Sequence, residues 1–197
     1  MRRRAAGGFT LIELMIVITL ISIIASIAIP SLLRARMTAN EVACIGGLKA
    51  IATNQQIFRR QDHQFDYSAL GLTDKRGVQE YAPRYWMMQE VDGMNLVEIS
   101  LARANIAYAG SMGDPSPASG YFYVDVIQTT SDGTNYVNLD STIRFAVYAA
   151  PAQYNLSGRN SFYIDDRGTI YQKDTGTSDL LIQMHTNPDS ENFVHVE

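Results

Sequence analysis

The chain has 197 residues, of which 46% are apolar and 18% are charged, so its composition is that of a globular domain rather than a disordered protein or a large multidomain enzyme. A single cysteine, Cys44, excludes an intrachain disulfide, and no Cys/His cluster has the spacing of a structural zinc site. Residues 61–197 carry eight basic and eighteen acidic residues, within a total net charge of −4. We predict no nucleic-acid binding, because an acidic body without a basic cluster repels phosphate backbones.

The amino-terminal region pairs a basic leader with a long apolar run. Arg2, Arg3 and Arg4 precede an uncharged segment, Leu14–Leu33, whose length as a helix matches a bilayer hydrocarbon core of ~30 Å. The positive-inside rule then places the amino terminus in the cytoplasm and the acidic body outside. A cleaved secretory signal is the alternative, but the run is too long for one and carries an acid, Glu13, at its cytoplasmic edge.

The residues before the apolar run form a specific motif, which reads GGFTLIEL from Gly7 to Leu14. This motif resembles the cleavage and methylation signal of type IV prepilins and type II secretion pseudopilins, and the resemblance is tight over residues 2–36. It implies that prepilin peptidase cuts after Gly8 and methylates the new amine of Phe9. Glycine suits that position, because a residue without a Cβ leaves the backbone unobstructed for a protease.

Glu13 lies four residues after Phe9, so on a helix that begins at residue 9 the two lie on the same face. Two roles stay open for its carboxylate. Within one subunit it interacts favourably with the helix dipole, and between subunits the resemblance implies pairing with the amine of a neighbour's Phe9, which would set the assembly register. Pro30 predicts a kink, because it removes a helical hydrogen bond. The kink is either that of a plain membrane helix or, as the resemblance implies, one that partly melts in a filament.

Beyond Pro30 the sequence becomes amphipathic, which predicts that one helix continues from residue 9 to about residue 60. The recurring apolar positions are Val42, Ile45, Leu48, Ile51 and Phe58. Gly46 and Gly47 weaken the helix propensity at ~1 kcal/mol each, which predicts a bend or a close contact. Cys44 is interpreted as a small buried apolar residue.

Alternating apolar residues then predict four strands, within residues 121–126, 137–148, 162–164 and 169–172. Linked in order they form an antiparallel meander, and its one apolar face needs a cover, which the amphipathic half of the helix supplies. The predicted fold is therefore α+β and pilin-like, with a long kinked N-terminal helix packed on a four-stranded meander. The predicted organisation is a leader (1–8), a membrane or filament-core helix half (9–33), an amphipathic half (34–62) and a globular head (63–197).

Candidate chemistry in the head is sparse. Asp165, Asp166 and Asp174 lie around a glycine-containing turn and form a weak candidate calcium site, although a hairpin turn with solvated carboxylates is favoured. The sequence has no P-loop, GxGxxG, HExxH or GxSxG motif. We therefore predict that the protein is not an enzyme and needs no cofactor.

The predicted function is a structural subunit of a type IV pilus or pilus-like filament. Its expected partners are copies of itself, prepilin peptidase, the inner-membrane pilus or secretion assembly machinery and, before assembly, the membrane. The expected location is the bacterial inner membrane in a single pass, then the pilus or a periplasmic filament. A type II secretion pseudopilin or minor pilin is the first alternative, and a membrane-anchored periplasmic enzyme or binding module is the second.

Overall fold

A computed structural model describes residues 9–61, 100–101, 104, 115–126, 128–131, 135, 137–139, 144–181, 183–185 and 188–196. The chain divides into two compact units, Met1–Arg36 and Met37–Glu197. The predicted leader, which includes Gly8, lies outside the described residues.

A single helix, α1, runs from Leu11 to Gln61 and contains Pro30 in its interior. It begins two residues later than predicted, because Thr10 caps it. In the first unit, the large apolar side chains from Leu11 to Leu33 are all exposed, with exposed fractions of 39% or more. By length and composition, α1 is able to cross a membrane.

Eight strands follow in the described residues: β1 (Tyr121–Asp125), β2 (Gln128–Thr130), β3 (Val137–Asn138), β4 (Ala146–Pro151), β5 (Asn160–Asp165), β6 (Ile170–Asp174), β7 (Gln183–His185) and β8 (Val194–Val196). The main sheet has the order β1-β4-β5-β6-β8, and every neighbouring pair in it is antiparallel. A smaller sheet has the order β3-β2-β7, in which β2 and β7 are parallel. A short 3-10 helix, Pro188–Glu191, precedes β8.

The α+β, pilin-like fold is confirmed, but the predicted strand count of four is wrong because the main sheet has five strands. The alternating run 137–148 contributes to two different strands: Val137 and Asn138 pair with β2, whereas β4 lies between β1 and β5. Alternation alone does not reveal where a chain leaves one sheet and enters another. The fifth strand, β8, comes from the segment 175–197, to which the sequence pattern assigned no fold.

The second half of α1 covers one face of the main sheet, as predicted. This core comprises Cys44, Leu48, Ile51 and Ala52 from α1 and Tyr121, Tyr123, Val147, Ala149, Phe162, Ile164 and Ile170 from the sheet. Leu48 and Ile51 are completely buried, and burial of each such side chain contributes about 1.5–3 kcal/mol. The predicted interpretation of Cys44 is confirmed, since it is also completely buried.

The opposite face of the main sheet is buried as well, so the expectation of one apolar face is wrong. This second core comprises Val124, Val126, Leu139, Ala146, Tyr148, Ala150, Tyr163, Tyr171, Met184 and Phe193. The ring of Phe193 meets that of Tyr148 edge-on, with centroids 6.4 Å apart. The segment after β6 therefore returns to close a face that the helix does not cover.

Candidate processing and assembly site

The residue that the motif assigns to methylation lies outside the helix. Phe9 precedes α1 and is 91% exposed, and Thr10 is the last residue before the first helical turn. Phe9 and Thr10, on the carboxyl side of the predicted cut, therefore lie before the helix, and both are exposed. Cleavage after Gly8 stays a prediction, because that residue lies outside the described ones.

Thr10 and Glu13 form a reciprocal cap at the start of α1. The Glu13 N–H donates to Thr10 Oγ1 at 3.3 Å, and the Thr10 N–H donates to Glu13 Oε2 at 2.8 Å. The Thr10 hydroxyl also donates to Glu13 Oε2, at 2.7 Å. This arrangement is a capping box, in which two backbone N–H groups that lack helical partners are satisfied by side chains.

The cap changes the predicted relation between Glu13 and Phe9. Because Phe9 and Thr10 precede the helix, the helical spacing from which a shared face was expected does not apply between Phe9 and Glu13. Its carboxylate instead folds back on Thr10 while remaining exposed, and both bonds from Thr10 reach one oxygen, Oε2. A carboxylate offers about four acceptor positions, so this one retains capacity for a cation from another molecule.

Three hydroxyl groups of the apolar run beyond the cap bond to the backbone of their own helix. The hydroxyls of Thr19, Ser22 and Ser26 donate to the carbonyls of Met15, Ile18 and Ile23, each at 2.7 Å. Pro30 is exposed within α1, and the predicted kink there stays a prediction. A helix whose hydroxyls bond to its own backbone presents an apolar surface to lipid or to other helices.

A second set of contacts, which the sequence did not suggest, fixes α1 to the loop between β4 and β5 and to the first residue of β5. Glu41 Oε1 accepts hydrogen bonds from the backbone N–H groups of Arg159 and Asn160, at 2.9 and 3.1 Å. The Asn40 amide donates to the carbonyl of Ser157 at 2.7 Å. These partners are 117 or more positions apart in the chain, so no local pattern could have identified them.

The aspartates of the weak calcium candidate each bond to a different arginine. Arg167 Nε donates to Asp165 Oδ2 at 2.7 Å, Arg144 Nε donates to Asp166 Oδ1 at 3.4 Å, and Arg159 Nε donates to Asp174 Oδ2 at 2.6 Å. Asp165 Oδ1 also accepts from the backbone N–H groups of the turn, at Arg167 and Thr169. Within the described ranges, no group of three or more His, Cys, Asp or Glu side chains is arranged to hold a metal ion.

Thr10 is a residue within the motif whose capping role was not predicted from the sequence. Its signal was present as T-x-x-E from Thr10 to Glu13, directly before an apolar run, which is the signature of a capping box.

Comparison with known families covers nearly the whole chain. The model of a family described as Protein of unknown function (DUF2950) matches residues 26–191, and the model described as Prokaryotic N-terminal methylation motif matches residues 3–29. No solved structure matches the chain.

Three of the curated relatives each match between about a third and under a half of the chain. The chain is 40% identical over 69 residues to the type IV wide pilus major component PilA4 of Thermus thermophilus, which covers 35% of this chain and 53% of that protein. It is 39% identical over 72 residues to the type IV major pilin protein PilA of Myxococcus xanthus, and this match covers 36% of this chain and 33% of that protein. It is 28% identical over 88 residues to the type II secretion system core protein G of Pseudomonas aeruginosa, and this match covers 44% of this chain and 62% of that protein.

The chain thus spans a third to about three fifths of the length of these relatives. The matches confirm the resemblance that was drawn from the residues around Gly8, Phe9 and Glu13. Because the first family model covers most of the chain, this protein belongs to the DUF2950 family; residues 3–29 carry the methylation motif, and part of the chain is homologous to type IV pilins and a secretion pseudopilin.

Proposed function

We propose that the chain is a structural subunit of a type IV pilus or pilus-like filament. Prepilin peptidase cuts after Gly8 and methylates Phe9, and the trimmed subunits assemble by packing their α1 helices. The observation that carries this proposal is the exposed, uncharged surface of α1 directly after a capped acid, Glu13. A plain membrane anchor needs neither that acid nor the Gly8-Phe9 junction.

The proposed assembly mechanism is an exchange of surroundings for the apolar run. Side chains from Leu11 to Leu33 contact lipid while the subunit waits in the inner membrane, with its amino terminus in the cytoplasm and its second unit outside. In the filament the same surface contacts helices of other copies, through close packing rather than a new hydrophobic driving force. The inner-membrane assembly machinery supplies the work of extraction.

Glu13 sets the register in this mechanism. Its carboxylate enters the assembly already bonded to Thr10, with acceptor positions left for the methylated amine of a neighbour's Phe9. Two charges in an apolar environment are each costly alone, so a helix that docks out of register leaves both without a partner. The pair therefore favours one alignment of neighbouring helices.

A type II secretion pseudopilin or a minor pilin is the second candidate. It is supported by the match to core protein G, which covers 62% of that relative, more than the matches to the two pilins cover of theirs. Both candidates share the processing and packing steps. They differ in whether the filament reaches the cell surface or stays in the periplasm, and in how much of the filament is made.

Intact-mass analysis of the protein from its native host tests the processing step. A chain that begins at methylated Phe9 supports the proposal, whereas a chain that retains Met1 and the arginines indicates a membrane-anchored periplasmic enzyme or binding module. Shearing the cells and imaging the released material then separates the filament classes. Abundant filaments of this chain identify a major pilin, and their absence with correct processing identifies a pseudopilin or minor pilin.

A further inference from the structure

Two arginines mark the end of the apolar run on α1. Arg34 and Arg36 are exposed, and no charged residue lies between Glu13 and Arg34 in the sequence. Asn40, four residues beyond Arg36, bonds to the β4–β5 loop. We call Arg34 and Arg36 the basic collar.

The spacing of the basic collar along the helix fits the thickness of a membrane. From Glu13 to Arg34 the helix rises roughly 31 Å at ~1.5 Å per residue, close to the ~30 Å of a bilayer hydrocarbon core. With Glu13 at one boundary of that core, the guanidinium groups of the collar reach the headgroup layer at the other boundary. Arginine side chains extend readily into that layer, while their aliphatic parts stay against apolar surface.

The two arginines also point in different directions. Residues two apart on an α-helix are separated by about 200° around its axis, so they do not share a face. One groove on one protein would contact only one of them. A shell of lipid surrounds the helix on all sides and offers a phosphate to each.

We propose that the basic collar binds the phosphate groups of anionic phospholipids on the non-cytoplasmic side of the membrane before assembly. Guanidinium groups bind phosphate oxygens through paired, charge-assisted hydrogen bonds, which favours arginine over other polar residues at this position. The acidic segment 61–197 is repelled by an anionic membrane surface, and the collar supplies the attraction that holds α1 at its depth. This inference rests on the proposed function, since it requires a subunit that resides in a membrane.

The test uses the full chain reconstituted in phosphatidylcholine vesicles, with flotation to verify insertion. Spin-labelled phosphatidylglycerol and spin-labelled phosphatidylcholine are added separately, and electron paramagnetic resonance measures how strongly each lipid associates with the protein. We expect wild type to associate more strongly with phosphatidylglycerol than with phosphatidylcholine, by up to about fivefold for each arginine at low salt. The double variant Arg34→Gln/Arg36→Gln should lose this selection. Added salt weakens the selection in wild type.

Two further variants make the result specific. Lys49→Gln removes an exposed positive charge from the same helix beyond the collar and should keep the selection. Arg34→Lys/Arg36→Lys conserves the charge but not the paired hydrogen bonds, so it should keep part of the selection. The proposal is overturned if Arg34→Gln/Arg36→Gln selects phosphatidylglycerol like wild type, or if Lys49→Gln reduces the selection equally. Should the double Gln variant keep its lipid selection yet lose filament yield, the collar binds an acidic surface of another copy instead, and the proposed function stands while this inference fails.

Discussion

Thr10 and Glu13 hydrogen-bond each other across the first turn of α1, with the Thr10 N–H 2.8 Å from Glu13 Oε2 and the Glu13 N–H 3.3 Å from Thr10 Oγ1. The acid that the motif assigns to contacts between subunits therefore has a partner in its own chain first. The cap needs an acceptor oxygen on residue 13, whereas the proposed contact between subunits needs a charge there, so the two can be separated by substitution.

Glu13→Gln separates these functions. Glutamine still supplies the acceptor oxygen of a capping box, so the start of α1 should be retained, but it cannot pair electrostatically with an ammonium group. We expect normal processing after Gly8 and a large loss of sheared filament, measured by intact mass and by immunoblotting of the sheared fraction. Normal filament yield from Glu13→Gln would refute the register role.

Thr10→Val is the matched control, because it keeps the shape of the side chain and leaves the charge of Glu13 in place. Loss of the capping hydroxyl costs about 1 kcal/mol of helix stability. We expect fraying at the start of α1 in detergent, seen as faster hydrogen exchange of the first-turn amides, with a smaller loss of filament than Glu13→Gln causes. An equal loss in both variants would mean that the cap, not the charge, controls assembly.

Gly46 and Gly47 provide a test of how closely α1 approaches β1. A Cβ at Gly47 would lie 2.8 Å from the hydroxyl oxygen of Tyr123, whereas a Cβ at Gly46 meets nothing within 4 Å. Gly47→Ala should destabilise the second unit by about 1–3 kcal/mol through overpacking, because Tyr123 is buried. Gly46→Ala should stabilise it by up to about 1 kcal/mol through helix propensity.

Urea unfolding of the two variants in detergent, followed by circular dichroism, measures both effects. The measurement also tests the packing described for α1. Equal stability changes in the two variants would show that α1 does not approach β1 as closely as the structure places it.

Local signals in the sequence predicted much of this molecule. The apolar run, the amphipathic half-helix and the cover it forms over the sheet follow from periodicity, which depends only on neighbouring residues. A bend or a close helix contact was expected at Gly46-Gly47, and the close approach of Gly47 to Tyr123 is one of these alternatives. What periodicity could not supply were pairings between distant segments, such as β8 with β6 and Val137 with β2.

The residues of the candidate site likewise divide into those that a local motif identifies and those that depend on contacts between distant segments. Phe9 and Glu13 were predicted from a compact motif, and Thr10 could have been predicted from the T-x-x-E spacing. The bonds of Asn40 and Glu41 to the β4–β5 loop and the first residue of β5 depend on how the sheet docks against α1, which no short stretch of sequence encodes.

Glu41 should be important for the stability of the second unit. Its carboxylate accepts two backbone hydrogen bonds, so Glu41→Ala leaves the N–H groups of Arg159 and Asn160 without that acceptor and should cost about 1–3 kcal/mol. Val42→Ala, at the exposed neighbouring position, should change stability by less than about 0.5 kcal/mol. Urea unfolding in detergent measures both, and similar values for the two variants would contradict the importance of the Glu41 contact.

Asp174 should make stability depend on pH in the acidic range. The hydrogen bond from Arg159, and then that from the Tyr154 hydroxyl, hold the pKa of the Asp174 carboxyl below its ordinary value. Above the ordinary aspartate pKa of about 4 the group is ionised in the folded and the unfolded chain, so the pair contributes its full stabilisation there. As the pH falls through the lowered pKa, the folded state takes up the proton and that contribution is lost.

Wild type should therefore be more stable than Asp174→Asn by a small, constant amount at neutral pH, since exposed ion pairs are weak. The difference in stability should vanish in acid. Thermal unfolding across this pH range checks it, with Asp179→Asn as the control at another exposed aspartate. A difference from Asp174→Asn that persists unchanged into acid would show that the ionised pair is not its source.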